Sequence, residues 1–287
     1  MVITKKPEWI RVKGVDENVL NSMKQLLDKF HLHTVCESAL CPNMGTCFKA
    51  GTATFMILGD ICTRNCAFCG VSTGSPTDPD PEEPKNVAMA ARELSLKHVV
   101  ITSVTRDDLP DGGARQFVST IREINNILPD ATTDILIPDL KGSKQNLQMV
   151  VEACPDILAH NLETVPRLYE SCRQQANYRV SLRVLENAKD LNPAIFTKSG
   201  VMLGLGETRD EVIQVMKDLR AVQCDFLTIG QYLRPAKENL PVEEFITPEV
   251  FEEYKVLGDE MGFRYVASSP FVRSSFHAEE ALKHVRK

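Results

Sequence analysis

The sequence has no long apolar run, no surplus of basic charge and no low-complexity tract, and each absence argues against a class of protein. Its longest unbroken apolar run covers five residues, 87–91, whereas a membrane-spanning helix needs about 20. Basic side chains number 33 against 39 acidic ones, for a formal net charge of −6. Nucleic-acid binding depends on basic side chains that neutralise phosphates. We therefore expect neither a membrane nor a nucleic-acid partner.

The first residues also lack a secretory or transit signal, because no apolar stretch follows Lys5 and Lys6. We expect a cytoplasmic protein. In that compartment, nine cysteines indicate metal binding or catalysis rather than disulfides. The 287-residue chain, with 43% hydrophobic and 25% charged residues, has the composition of a globular protein.

From residue 53 onward, short apolar runs alternate with helical patterns. The predicted strands are Thr54–Leu58, His98–Thr102, Thr133–Ile137, Ile157–Asn161, Gly200–Leu205 and Phe226–Gly230. Between strands, apolar residues recur every three or four positions, as on one face of a helix. One helix is predicted to begin with a capping box at Thr208 and Glu211, and another at Thr247-Pro248. The alternation predicts an α/β fold with a parallel sheet, either doubly wound or curled into a barrel.

A proline- and aspartate-rich stretch at 75–84 is predicted to be an irregular surface connection. Six strand–helix units are too few for a closed eight-fold barrel.

Cys62, Cys66 and Cys69 form a C-x3-C-x2-C motif shortly after the first predicted strand. A loop there projects from the carboxyl end of the strand, where α/β folds keep their active sites. Complete ligation of a four-iron cluster takes four cysteines, so three thiolates leave one iron open. The alternative is a zinc site with His98 or Cys154 as fourth ligand.

Cys36, Cys41 and Cys47 form a second triad with C-x4-C-x5-C spacing. It again offers three thiolates without an obvious fourth, which favours a second cluster. A structural zinc completed by His31 or His33 is the alternative.

Both triads, together with motifs spread over residues 36–278, resemble the lipoyl synthase family of radical S-adenosylmethionine (SAM) enzymes. The motifs are CESALCPNMGTC at 36–47, VTRDDL at 104–109, DGGA at 111–114, HNLETV at 160–165, GLGET at 204–208, GQYLRP at 230–235 and RSSFHA at 273–278. The resemblance implies a partial parallel (β/α)6 barrel of radical SAM type at 53–262. An N-terminal extension at 1–52 would carry the auxiliary-cluster cysteines, and a C-terminal segment at 263–287 the Arg-Ser-Ser motif.

The resemblance also implies two [4Fe-4S] clusters and SAM as a cosubstrate. Cys62, Cys66 and Cys69 would hold the cluster that binds SAM. The auxiliary cluster would be held by Cys36, Cys41, Cys47 and Ser275. Implied SAM contacts are Phe68, Ser103, Asn161, Glu163, Arg183, Leu203, Gly204 and Tyr232. The family usually has tyrosine where this chain has Phe276, which puts any hydrogen bond from that hydroxyl in doubt.

The implied reaction inserts two sulfur atoms, at carbons 6 and 8, into an octanoyl chain on a lysine of a lipoyl carrier domain. The auxiliary cluster would be the sulfur donor. Implied partners are the carrier, from a 2-oxoacid dehydrogenase E2 or the glycine-cleavage H protein, a low-potential donor such as ferredoxin or flavodoxin, and iron–sulfur assembly or repair proteins. The alternatives are another two-cluster sulfur-inserting enzyme, similar to tRNA methylthiotransferases, and a non-enzymatic electron-transfer protein.

Overall fold

The computed structural model describes residues 6–11, 16–275 and 278–285. The chain divides into two compact units. The N-terminal unit comprises Val12–Arg64 and Gly70–Leu158, and the C-terminal unit comprises Met1–Arg11, Asn65–Cys69 and Ala159–Lys287.

The N-terminal unit alternates helices with short strands. Its helices are α1 (Glu17–Lys29), α2 (Val35–Ser38), α3 (Met44–Lys49), α4 (Glu83–Glu93), α5 (Ala114–Ile127) and α6 (Lys144–Glu152), with a 3-10 turn at Leu140–Gly142. Its strands are β1 (His33–Thr34), β2 (Thr54–Ile57), β3 (Ile61–Cys62), β4 (Ser72–Thr73), β5 (His98–Ser103) and β6 (Thr132–Leu136). Strand β7 (Ile157–Ala159) lies where the chain passes from one unit to the next.

Parallel pairing organises the sheet of the N-terminal unit. β5 pairs in parallel with both β2 and β6, with Ile101 opposite Phe55 on one side and Ile135 on the other. β1 adds an antiparallel edge to β2. Helix α5 buries the apolar face that its spacing predicts, including Phe117 and Ile121. The carboxyl ends of β2, β5 and β6 therefore point the same way.

The C-terminal unit repeats the pattern. Its helices are α7 (Tyr169–Cys172), α8 (Tyr178–Leu191), α9 (Arg209–Ala221), α10 (Pro248–Glu260) and α11 (Glu279–Val285), with 3-10 turns at Glu8–Ile10 and Pro166–Leu168. Its strands are β8 (Phe196–Leu203), β9 (Phe226–Gln231) and β10 (Tyr265–Ser268).

In this unit β9 pairs in parallel with β8 and with β10. The predicted capping box at Thr208 and Glu211 is present at the start of α9. Residues from α9, α10 and all three strands bury one apolar core. Burial of that core fixes the strand ends from which the functional side chains project.

The prediction of an α/β fold with parallel strands is confirmed. All six predicted strands are present, the largest boundary error being at β8, which begins four residues before the predicted Gly200. Strand β10 was not predicted, because its four residues give too short a period-2 signal. The irregular connection ends earlier than predicted, since Glu83 and Pro84 already form the first turn of α4, where proline suits the helix start. The predicted division into segments 1–52, 53–262 and 263–287 stays a prediction.

Among the residues that the structure describes, no helix combines the length and apolar character needed to cross a membrane.

Candidate active site

All nine cysteines are free of disulfide bonds. Cys36 lies on α2, Cys47 on α3, and Cys41 in the connection between these helices. Backbone N–H groups close the segment locally: Cys41 donates to the Cys36 carbonyl at 3.0 Å and Cys47 to the Asn43 carbonyl at 2.9 Å. The auxiliary triad thus lies on a short segment with its own internal bonding.

Cys36 is the buried member of this triad. Burial raises the pKa of its thiol to about 12, with the Thr54 backbone acting against the shift and the neighbouring Cys41 and Cys47 adding to it. Thiolates are the ligands of iron–sulfur clusters. Binding of iron by Cys36 therefore requires loss of the thiol proton.

The first cysteine of the second triad is held at the carboxyl end of β5. The Cys62 sulfur accepts hydrogen bonds from the backbone N–H of Arg64 at 3.4 Å and of Thr105 at 3.3 Å. Thr63 donates from both its backbone N–H and its hydroxyl to the Thr105 carbonyl, each at 3.0 Å. His98, the candidate zinc ligand, begins the six-residue β5. At ~3.3 Å per residue, it lies about 16 Å from the carboxyl end of that strand, where Cys62 is held.

The Arg64 side chain joins this loop to the ends of two strands. Its guanidinium makes paired hydrogen bonds to Asp107, at 2.6 and 2.9 Å, and to Asp139, at 2.6 and 2.7 Å. Only 8% of the Arg64 side chain and 5% of the Asp139 side chain are exposed. Bidentate pairs of this kind fix direction as well as distance.

Leu58, which precedes the loop, has a φ of +70°, unusual for a residue with a bulky side chain. Its N–H donates to both carboxylate oxygens of Glu83, at 3.0 and 2.9 Å, and its carbonyl accepts from Arg106 at 3.3 Å. Such conformations persist where the surroundings over-determine them. The chain therefore enters the cysteine loop along a fixed path.

Cys66 and Cys69 belong to the C-terminal unit, where tertiary hydrogen bonds hold their loop. The Ala67 N–H donates to the Cys172 carbonyl at 2.8 Å. The Asn239 amide donates to the carbonyls of Ala67 at 3.2 Å and Cys69 at 2.8 Å. Phe68 packs against the core of this unit.

Two of the implied SAM contacts, Asn161 and Glu163, meet each other beyond the end of β7. The side-chain nitrogen of Asn161 donates to the Glu163 carboxylate at 3.1 Å, and its side-chain oxygen accepts from the Ser274 hydroxyl at 2.9 Å. A Cβ on Gly200 would lie within 3.0 Å of both Asn161 and Ser274, so only glycine allows this approach. The Arg-Ser-Ser motif thus reaches the same place as Asn161.

Glu163 is a partly buried carboxylate with φ of +67°. Burial raises its pKa, while nearby Arg173 acts in the opposite direction. The Arg173 guanidinium donates to the carbonyls of Asn161 and Leu162, at 2.9 and 3.2 Å, and its buried Nε has no partner among the described residues. Its surroundings include Cys66. A partly buried cation and carboxylate close to each other are typical of a binding site.

Sequence reasoning named Arg183 and missed Arg173. Arg183 lies exposed on α8, and its role in SAM binding stays a prediction. Arg173 follows α7 in an irregular segment without periodicity, so the only signal in the sequence was its position directly after Cys172.

Three further residues with implied SAM contacts, Tyr232, Leu203 and Gly204, interact with main-chain atoms of neighbouring segments. Tyr232 is buried, and its hydroxyl donates to the Leu240 carbonyl at 2.8 Å. The Leu203 carbonyl accepts from the Tyr232 N–H at 2.7 Å. Gly204 has φ of +95°, and a Cβ there would lie 2.3 Å from the Glu244 carbonyl oxygen. These residues shape the end of β8 through their main chain.

Two serines, Ser103 and Ser275, are the last of the predicted site residues. Ser103 ends β5 in the N-terminal unit, and its buried hydroxyl has no partner in the described part of the chain. Ser275 is partly exposed in the C-terminal unit. Phe276 lies outside the described residues.

The donor sets fit iron–sulfur clusters in their chemistry. Each triad offers three soft thiols, and Cys62 already accepts two N–H groups, the kind of contact that stabilises cluster sulfur. Over residues 6–11, 16–275 and 278–285, no three or more His, Cys, Asp or Glu side chains form a group that could hold a metal ion. The ligand assignments therefore remain predictions.

Sequence comparison with known proteins gives a match to a family model and matches to individual relatives. A model described as the radical SAM superfamily matches residues 56–219. A lipoyl synthase of Caldanaerobacter subterraneus subsp. tengcongensis is 55% identical over 282 residues, covering 98% of this chain and 99% of that protein. Another, from Alkaliphilus metalliredigens, is 54% identical over 283 residues, covering 99% of this chain and 98% of its own length.

Solved structures agree on the fold. HydG, a maturase of the [FeFe]-hydrogenase, matches with a TM-score of 0.61 at 14% identity, covering 98% of this chain and 72% of its own. Methylornithine synthase matches with a TM-score of 0.56 at 16% identity, covering 77% of this chain and 72% of its own. At such identities the likeness concerns the fold alone. Together with the family model, it confirms the predicted radical SAM type of α/β fold.

Proposed function

The chain belongs to the lipoyl synthase family within the radical SAM superfamily, and we propose on that premise that it inserts sulfur at carbons 6 and 8 of an octanoyl chain on a carrier lysine. As a member of this family it uses SAM and [4Fe-4S] clusters. The observation that carries the proposal is the 55% identity over 98% of the chain. An alignment of this length covers the part of the chain, 36–278, that carries the motifs.

In this proposal Cys62, Cys66 and Cys69 hold the cluster that binds SAM. When bound, that cluster supplies the electron that cleaves SAM, and the adenosyl radical so formed removes hydrogen from unactivated carbon. The chain itself binds and orients. Arg173, partly buried and close to Glu163, suits the carboxylate of SAM, and Glu163 suits its ammonium group.

The second cluster is proposed as the sulfur substrate, held by Cys36, Cys41 and Cys47. The Arg-Ser-Ser motif predicts Ser275 as its fourth ligand. Iron–sulfur clusters ordinarily take soft thiolate ligands, so an oxygen-held iron should be the easiest to displace. That property suits a cluster that is dismantled to give up sulfur.

Lipoyl synthesis needs a carrier protein that presents the octanoyl chain, and it needs a reductant. We propose a 2-oxoacid dehydrogenase E2 or a glycine-cleavage H protein as carrier, and ferredoxin or flavodoxin as electron donor. Iron–sulfur assembly or repair proteins would rebuild the consumed cluster. We place the reaction in the cytoplasm.

Two other functions remain as alternatives, and both fit less well. An enzyme acting on tRNA needs a basic surface, whereas this chain has a net charge of −6. An electron carrier would need four cysteines at each cluster, whereas each triad here has three.

The deciding experiment starts with protein purified without oxygen. About eight irons and eight sulfides per chain would indicate two four-iron clusters. This protein, with SAM, dithionite and an octanoyl-lysyl peptide, should then form lipoyl peptide and cleave two molecules of SAM for each. Iron and sulfide at about four each, with no sulfur in the peptide, would refute the proposal.

A further inference from the structure

Two backbone N–H groups from separate parts of the chain meet on the Cys62 sulfur. One belongs to Arg64, two residues ahead, at 3.4 Å, and the other to Thr105, beyond the end of β5, at 3.3 Å. N–H donors stabilise negative charge on cluster sulfur, and hydrogen bonds to the sulfurs are among the factors that set the reduction potential. The relative position of residues 64 and 105 therefore matters for the electron that the cluster accepts.

The Arg64 side chain fixes that relative position. Its paired hydrogen bonds to the Asp107 carboxylate, at 2.6 and 2.9 Å, tie residue 64 to the segment that also carries Thr105. We call such a bidentate pair a fork. A second fork to Asp139, at 2.6 and 2.7 Å, ties the same guanidinium to the segment after β6. Thr63 reinforces the first tie, because its hydroxyl accepts from the Asp107 N–H at 3.0 Å. The Arg64 guanidinium, together with the bonds from Thr63 to the Thr105 carbonyl, thus holds both donors to Cys62.

Geometry, rather than charge, explains this arrangement. A lysine would give the same charge as Arg64 but only a point contact, whereas the planar guanidinium fits two carboxylates at once. Arg64 and Asp139 are buried, and burying charges is costly even when they are paired.

We propose that Arg64 is a positioning residue: its forks to Asp107 and Asp139 keep the N–H groups of Arg64 and Thr105 on the Cys62 sulfur and so raise the reduction potential of the SAM-binding cluster. The redox part rests on the function proposed for Cys62. The positioning part concerns the protein alone and can be measured without a cluster.

The redox part is tested with Arg64→Lys, made in a chain that also carries Cys36→Ala, Cys41→Ala and Cys47→Ala so that one cluster remains. Redox titration followed by electron paramagnetic resonance should give a more negative midpoint potential than the parent, because the N–H donors that stabilise the reduced cluster are loosened. The matched control is Arg167→Lys, which removes an exposed fork to Glu211 and should leave the potential unchanged. An unchanged potential in Arg64→Lys would overturn the redox part.

The positioning part is tested on the cluster-free full chain by following alkylation of single cysteines with mass spectrometry. In Arg64→Lys, Cys62 should react about tenfold faster, as expected if its opening becomes easier by ~1.4 kcal/mol. Cys41 in the same chain provides the internal reference. Equal rates for Cys62 in Arg64→Lys and in the wild-type chain would overturn the positioning role, as would an equal rise in Arg167→Lys.

A milder variant guards against general unfolding. Asp107→Asn keeps the shape of the partly exposed acid and weakens one fork, so it should shift the potential and the Cys62 rate in the same direction by less. No change in either quantity would contradict the proposal. If the parent bound no cluster at Cys62, the proposed function and the redox part would fail together, while the alkylation rates would still decide the positioning part.

Discussion

Short-range backbone bonds help to hold the segment around Cys36, Cys41 and Cys47, whereas the loop that begins at Cys62 depends on partners far along the chain. In the first, backbone bonds such as Cys41 to Cys36 span a few residues. In the second, Arg64 reaches Asp139 over a separation of 75 residues. A segment with local bonds can open and close on its own, which suits a cluster that is consumed and rebuilt. A loop with tertiary partners keeps its geometry through many turnovers.

Cysteine replacements should give the largest effects and separate the two segments most clearly. Cys41→Ala should abolish sulfur insertion and leave reductive cleavage of SAM in place, because only the auxiliary triad loses a ligand. Cys66→Ala should abolish both reactions. The measurements are 5′-deoxyadenosine by chromatography and lipoyl peptide by mass spectrometry. Lipoyl product from Cys41→Ala at the wild-type level would show that the first triad is not the sulfur source.

The Cys66–Cys69 loop provides a sharper and smaller test. Asn239→Ala removes the amide that donates to the carbonyls of Ala67 and Cys69. The Ala67 carbonyl keeps the Leu240 N–H as a donor, so the loss should cost about 1 kcal/mol, the net contribution of a typical hydrogen bond. We expect Cys69 in the cluster-free chain to be alkylated about tenfold faster, the consequence of ~1.4 kcal/mol in a local opening.

The control for this variant is Asn192→Ala, whose side chain accepts only from the nearby Ala194 N–H at 3.1 Å among the bonds described. In this variant, Cys69 should be alkylated at the wild-type rate. Should Asn239→Ala leave Cys69 unchanged as well, the loop would not depend on its distant partners, and the contrast between the segments would be lost.

The same contrast explains what the sequence could predict. The strands were found because buried apolar runs alternate with helices of regular period, and the capping box at Thr208 because its signal lies within four residues. The cysteine triads were equally readable, since their spacing is local. Each of these features is carried by residues close together in the chain.

The supports of the Cys62–Cys69 loop were not predictable in this way. Arg64 and Asn239 are single polar residues without periodicity, and their partners lie far away in the sequence. Arg64 and Asp139 are 75 residues apart, and Asn239 and Cys69 are 170 residues apart. Nothing local distinguishes such a residue from one that faces solvent. Only the fold brings the forks and amide contacts together.

The smallest effect is expected in the auxiliary segment, from Thr34→Ala. The Thr34 hydroxyl accepts from the Glu37 N–H at 3.3 Å and donates to the Glu37 carboxylate at 3.0 Å, capping the four-residue helix that carries Cys36. Loss of such a cap costs about 1 kcal/mol, measured as the free energy of unfolding in urea. Thr34→Ser retains the hydroxyl and should recover most of it. Because this bond is local, SAM cleavage should stay at the wild-type rate while the auxiliary cluster is lost more readily to a chelator. A parallel fall in SAM cleavage would mean that the two segments are not independent, and the local bonding of the first would no longer explain how its cluster can be dismantled while the other persists.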